Sequence, residues 1–152
     1  MKARLDAYRA APDALNAVLA LKDYVADCGL ERSLHELIKI RASQINGCAY
    51  CIHMHARDAR AAGESEERIY LLDAWRESPL YTDRERAALA WTEALTLISE
   101  THAPDEVYEE ARRQFSEEEL VKLTVAIGLI NTWNRVAIGF RTVHPVGADR
   151  PA

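Results

Sequence analysis

Apolar residues recur along this chain at helical spacing, and strand-like alternation is hard to find. Leu15, Val18, Leu19, Tyr24, Val25 and Cys28 keep a helical period after Pro12, which suits a first turn, and before Gly29, which stops it. The spacing predicts a helix over Pro12–Cys28. A second runs from Ser33 to Asn46-Gly47, with Ser33 and Glu36 spelling a capping box. A third runs from about Cys48 to Ala62 and ends at Gly63. Ser65 opens a fourth to about Trp75, and Ser78-Pro79 breaks the chain. Thr82 and Glu85 spell another capping box, for a helix to about Glu100. Pro104-Asp105 starts the next, to Gln114, and Ser116 with Glu119 caps the last, to about Gly139. The tail from Arg141 to Ala152 reads as loop.

The last predicted helix departs from a simple amphipathic pattern. Its stretch LTVAIGLINTW is apolar on nearly every side, the mark of a helix buried in a core or in a subunit interface. Asn131, Asn134 and Arg135 interrupt the run and need partners if buried. They are expected to line such an interface or the floor of a pocket, with Arg135 a counter-charge for Glu36 or Glu93.

The 152 residues fit one domain, 1–152, with an all-α fold of about seven helices. A chain of this size buries roughly two-thirds of its unfolded surface. Scarce Gly and Pro, at 6 and 5, reinforce the helical reading. A net charge of −5 argues against broad nucleic-acid binding. The N-terminal stretch is interrupted by Asp6, Arg9, Asp13 and Lys22 and lacks the apolar core of a signal peptide. No run approaches the ~18 apolar residues of a membrane span. These features predict a cytoplasmic protein without membrane or nucleic-acid partners, whose three cysteines, Cys28, Cys48 and Cys51, are reduced at rest.

The unusual residues gather between Asn46 and His55. Asn46-Gly47 breaks one helix and begins another, so Cys48 falls at a helix N-terminus, where free N–H groups and the helix dipole favour a thiolate. Cys51 lies three residues on, and His55 four beyond that. Cys48, Cys51, Ile52, His55, Ala59 and Ala62 share one face; His53, Arg57 and Arg60 fall on the opposite one, which makes His53 a solvent or subunit-contact residue. Two competing readings stand beside redox chemistry. Buried thiols can pack against a core histidine, and C-x2-C-x3-H supplies three zinc ligands. Structural zinc takes four, and no second Cys/His pair is present, so no metal or other cofactor is expected. Cys28, at a helix end, reads as a packed thiol. Glu36, taken alone, reads as the capping partner of Ser33.

Glu36, Cys48, Cys51 and His55 together form the spacing E-x11-C-x2-C-x3-H. This pattern, with the runs LIKIRASQINGCAYCIHMHARDARAAGE and INTWNRVAIGF, resembles the alkylhydroperoxidase AhpD core within the carboxymuconolactone decarboxylase superfamily. The likeness covers roughly Leu15 to Phe140. It implies an AhpD-like helical bundle that assembles as a homo-oligomer, trimer or hexamer. It implies peroxide reduction through a disulfide cycle, restored by a dithiol reductant of the lipoyl or thioredoxin-like class. In that correspondence Cys51 is the peroxide-attacking thiol and Cys48 the resolving one. His55, through water, and Glu36 are the proton relay that deprotonates Cys51. Dipole reasoning alone favours Cys48 as the nucleophile instead. AhpD carries a histidine between its cysteines where this chain has Tyr50, which does not accept a proton near neutral pH. A redox-sensing oligomer and a superfamily lyase or decarboxylase remain as alternatives.

Overall fold

The fold, described from a computed structural model, covers residues 2–145; part of the predicted C-terminal loop lies outside these residues. Among the described residues there are nine α-helices and no strand. They are α1 (Ala7–Ala10), α2 (Pro12–Ala26), α3 (Arg32–Asn46), α4 (Ala49–Ala61), α5 (Glu66–Tyr70), α6 (Asp83–Thr96), α7 (Ile98–Thr101), α8 (Asp105–Gln114) and α9 (Glu117–Phe140). The predicted seven are all present. The two additions, α1 and α7, are single turns too short for a periodic apolar signal.

Local chemistry sets most boundaries. Gly29, Gly47 and Gly63 close α2, α3 and α4 with φ of 96°, 68° and 97°, a region that costs a side chain-bearing residue steric strain. Thr82–Glu85 and Ser116–Glu119 both form complete capping boxes at α6 and α9. The Ser33–Glu36 box does not form. Helix α3 already begins at Arg32, so Ser33 lies inside its first turn and Glu36 sits on the buried face. Three predicted ends also shorten. Helix α2 stops at Ala26, before Cys28. The segment after Ser65 is helical only to Tyr70 and continues as a 3-10 turn, Leu72–Ala74. The segment after Thr82 breaks at Leu97 and resumes as α7.

Helix α3 is the axis of the molecule, packed on α4, α6 and α9. Its two sides feed two apolar clusters. Leu34 and Ile38 meet Ala88, Trp91, Leu123 and Ile127 of α6 and α9. Leu37 and Ile40 meet Ala59, Leu72, Trp75 and Leu89. Glu93 ties the second cluster together, accepting from Arg41 Nε and Trp75 Nε1 at 2.8 Å each and from Arg76.

Helix α9 is covered within its own chain by α2, α3, α4, α6 and α8, which accounts for most of its apolar residues. Leu120, Leu123, Ile127, Leu129 and Ile130 are buried, whereas Val121 and Ile138 stay exposed. Arg135 does not pair with Glu36 or Glu93; its guanidinium donates to Asn131 on the same helix. Both carboxylates already have cations from α3, and Arg135 projects from a more exposed side of α9. No helix among the described residues is long and apolar enough to cross a membrane.

Candidate active site

Gly47 in the left-handed conformation turns the chain sharply between α3 and α4. The Cys48 N–H donates back to Ser43 O at 2.9 Å, and this closure fixes Cys48 as the N-cap of α4. Its Sγ accepts from the Cys51 N–H at 3.4 Å, one of the orphan donors of the helix start. The two cysteines are unbridged and almost fully buried, at 1% and 2% exposure. Ala137 of α9 packs against them, and Tyr50 flanks the cluster.

Behind the thiols lies a buried amide network. Asn134, at 0% exposure, donates to Ser43 Oγ at 3.0 Å and accepts from Asn46 Nδ2 at 2.9 Å. The same Asn46 amide donates to Asn131 Oδ1, and Asn131 donates to Thr96 Oγ1. Asn131 and Asn134 are therefore satisfied inside the subunit. Asn134 also favours the ionised form of both cysteines, against the burial that opposes it.

The two thiols differ in two opposing respects. The Cys51 thiol hydrogen-bonds Cys48 and, against the effect of burial, lowers its ionisation from 9.0 to about 7, with help from the Cys51 and Tyr50 N–H groups and Asn134. The same hydrogen bond, together with burial and the Cys48 charge, raises Cys51. Ionisation thus favours Cys48, as the helix-start argument expects. Access favours Cys51, which lines a cavity of about 600 Å³ that Cys48 does not reach.

Glu36 and His55 stand on the same cavity wall. Glu36 Oε2 is 3.6 Å from His55 Nδ1, and neither atom has another hydrogen-bond partner. Glu36 Oε1 accepts from Lys39 at 2.7 Å. Burial pushes the Glu36 carboxyl up, but His55 and Lys39 outweigh it and hold it below its ordinary range. The four residues of the sequence pattern are thus brought to one site.

Sequence reading missed Lys39, Ser43 and Asn46. The three-residue step from Glu36 to Lys39 is a helical pairing distance and could have revealed the first. It also missed His35, whose Nε2 lies 3.9 Å from the buried Cys28 thiol. Burial first, then Lys39, keeps His35 below its ordinary range. His53 is not simply solvated: its ring stacks on His144, with centroids 4.8 Å apart, and its Nε2 is buried. No group of three or more metal-ligating side chains is present among the described residues.

Residues 12–94 match the profile of the carboxymuconolactone decarboxylase family. A protein of unknown function from Agrobacterium tumefaciens, a candidate antioxidant defence protein AhpD, superimposes with a TM-score of 0.94 at 55% identity, over 96% of this chain and 100% of its own. The uncharacterized protein YdfG of Bacillus subtilis (strain 168) is 44% identical over 91% of this chain and 94% of its own length. The alkyl hydroperoxide reductase AhpD of Bradyrhizobium diazoefficiens is 43% identical over a shorter stretch, 31% of this chain and 26% of that protein. The chain belongs to the carboxymuconolactone decarboxylase family, and its all-helical fold is AhpD-like.

Proposed function

We propose that the protein is a thiol-dependent peroxidase that turns over through a Cys48–Cys51 disulfide. One observation carries this reading: Cys51 faces a cavity large enough for an organic substrate, with a hydrogen-bonded second thiol behind it and a carboxylate–imidazole pair beside it. The similarity to AhpD supports it.

The cycle follows from the division of labour between the thiols. Cys48 carries the negative charge of the reduced pair. As Cys51 Sγ attacks the distal peroxide oxygen, its proton passes to Cys48 along their hydrogen bond. The O–O bond breaks, the electron pair leaves with the alkoxide, and His55 protonates it to the alcohol and recovers a proton through Glu36. Cys51 is then a sulfenic acid. Cys48 loses its proton again and attacks Cys51 Sγ, and hydroxide leaves as water. The protein disulfide has gained the oxidation lost by the peroxide, and an external dithiol, of the lipoyl or thioredoxin-like class, restores both thiols by exchange. Cys48 thus takes the role of base toward Cys51 that the sequence reading gave to His55 and Glu36.

The test is peroxide turnover with several dithiols, wild type beside Cys51→Ser and Cys48→Ser. Cys51→Ser should consume no peroxide. Cys48→Ser, without the base and the resolving thiol, should form a Cys51 sulfenic acid more slowly, and this should accumulate or over-oxidise. The reverse pattern would make Cys48 the nucleophile. A single oxidation without turnover would indicate a redox sensor; a lyase of the superfamily would turn over no peroxide in any variant, and its own activity would survive the loss of both thiols.

A further inference from the structure

The proposed chemistry needs room for two oxygen atoms, and the cavity is far larger. A water molecule claims about 30 Å³ of liquid, against about 600 Å³ here. That is the size of a site for a small organic ligand, for which the usual range is ~300–1,000 Å³. Most of the wall is apolar, from Val25, Ile38, Leu129, Trp133 and Val136. Across it Tyr8 of α1 stacks on Trp133, with centroids 6.4 Å apart, so the first helical turn supplies part of the wall.

The polar part of the lining is unbalanced. It holds three cations, Lys22, Arg32 and Lys39, against one carboxylate, Glu36. Lys39 is bound to Glu36. Lys22 and Arg32 are exposed, and neither takes part in an ion pair among the described residues. This is unusual in a chain of net charge −5, where carboxylates are in excess. Arg32 lies one helical turn before Glu36 on α3, a rise of about 6 Å. A cationic rim over an apolar cavity attracts and orients anions that carry an apolar body.

Resting on the peroxidase reading, we propose that the substrate is an amphipathic hydroperoxide, an apolar chain ending in a carboxylate, whose apolar body fills the cavity and whose carboxylate is held by Lys22 and Arg32. These two residues touch no reacting atom; they set specificity. The tethered carboxylate holds the chain in register, and the hydroperoxide is presented to Cys51.

The experiment compares linoleic acid hydroperoxide with its methyl ester, using wild type, Lys22→Gln, Arg32→Gln and the double variant. Arg57→Gln, exposed on α4 and outside the cavity lining, removes the same charge elsewhere. The acid should be preferred over the ester in wild type. Each replacement at the rim should raise KM for the acid roughly two- to five-fold, the range of an exposed ion pair, with kcat retained. The ester and the Arg57→Gln control should not respond. Equal use of acid and ester by wild type, or equal loss on both in the variants, would overturn the proposal. Calorimetry with octanoate and octanol separates this from the chemistry. Octanoate binding that weakens in the double variant supports the ligand class even if no peroxide is consumed, which would refute the peroxidase reading alone. Absent or charge-indifferent octanoate binding would overturn the ligand class.

Discussion

Removing the Cys51 thiol should move the ionisation of Cys48 back up. The Cys48 thiol ionises near 7 rather than 9.0, and the largest cause is the hydrogen bond from Cys51. That difference is on the order of a hundredfold in the thiolate equilibrium, about 3 kcal/mol. At pH 7 roughly half of Cys48 is thiolate in the wild type, and about one in a hundred would be if the full difference were lost. In Cys51→Ala the N–H groups of the helix start and Asn134 remain, so the ionisation should settle between these limits. Cys51→Ser keeps an O–H donor and should lie closer to wild type. A pH titration of thiolate absorbance on these variants, with Cys28→Ala as the common background, reads the quantity directly. In the wild type the rate of thiol oxidation should rise with pH through about 7 as this proton leaves. A Cys51→Ala protein that still ionises near 7 would refute the reasoning: the charge would then be held by the helix start and Asn134, and the thiol–thiol hydrogen bond would contribute little.

Glu36→Gln should lower turnover by about a hundredfold, the lower end for a lost acid–base group, with a melting temperature lowered at neutral pH by the loss of its contacts to Lys39 and His55; wild-type kinetics would remove Glu36 from the relay. Because the folded Glu36 carboxyl lies below its ordinary value of 4.5, the stability it contributes is complete above that pH and is lost as pH falls through the folded value. The urea midpoint of the Gln variant should therefore decline less on acidification than that of wild type. Asn134→Ala leaves Ser43 Oγ and Asn46 Nδ2 short of a buried partner and should cost about 1–3 kcal/mol in urea unfolding while raising the Cys48 ionisation; an unchanged midpoint would argue against the network. We expect a homo-oligomer, trimer or hexamer, contacting through the exposed side of α9 around Val121 and Ile138; light scattering showing an active monomer would remove that interface.

Much of this fold was legible because helix ends are local events. Gly47, read with Asn46 as a helix break, ends α3 in the left-handed conformation, and Ser116–Glu119 forms the box it spells. Ser33–Glu36 has the same spelling and fails, because burial of Glu36 against His55 is a tertiary demand that spacing does not register. The break at Leu97 has no Gly or Pro behind it, so no local signal marks it. In the site, the i, i+4 step of α4 brings Cys51 and His55 to the cavity wall, with Cys48 buried behind at the N-cap. The bond from Asn134 to Ser43 spans 91 residues and could not be read from either segment alone. Arg135 failed as a counter-charge because charge matching along a sequence ignores cations already in place: Lys39 holds Glu36, and Arg41 holds Glu93.

If the pair cycles as proposed, the concealment of Cys48 also sets the direction of repair. Once the two sulfurs are joined, an incoming reductant meets only Cys51, because the cavity stops there. The mixed disulfide must then form on Cys51, and Cys48 is expelled. A thiol that ionises near 7 is a good leaving group, and a reduced form held as a stabilised thiolate makes the disulfide more oxidising. On the proposed cycle, the hydrogen bonds that gather around Cys48 would therefore shorten the life of the oxidised protein, and the cavity that admits the substrate would also admit the electron donor.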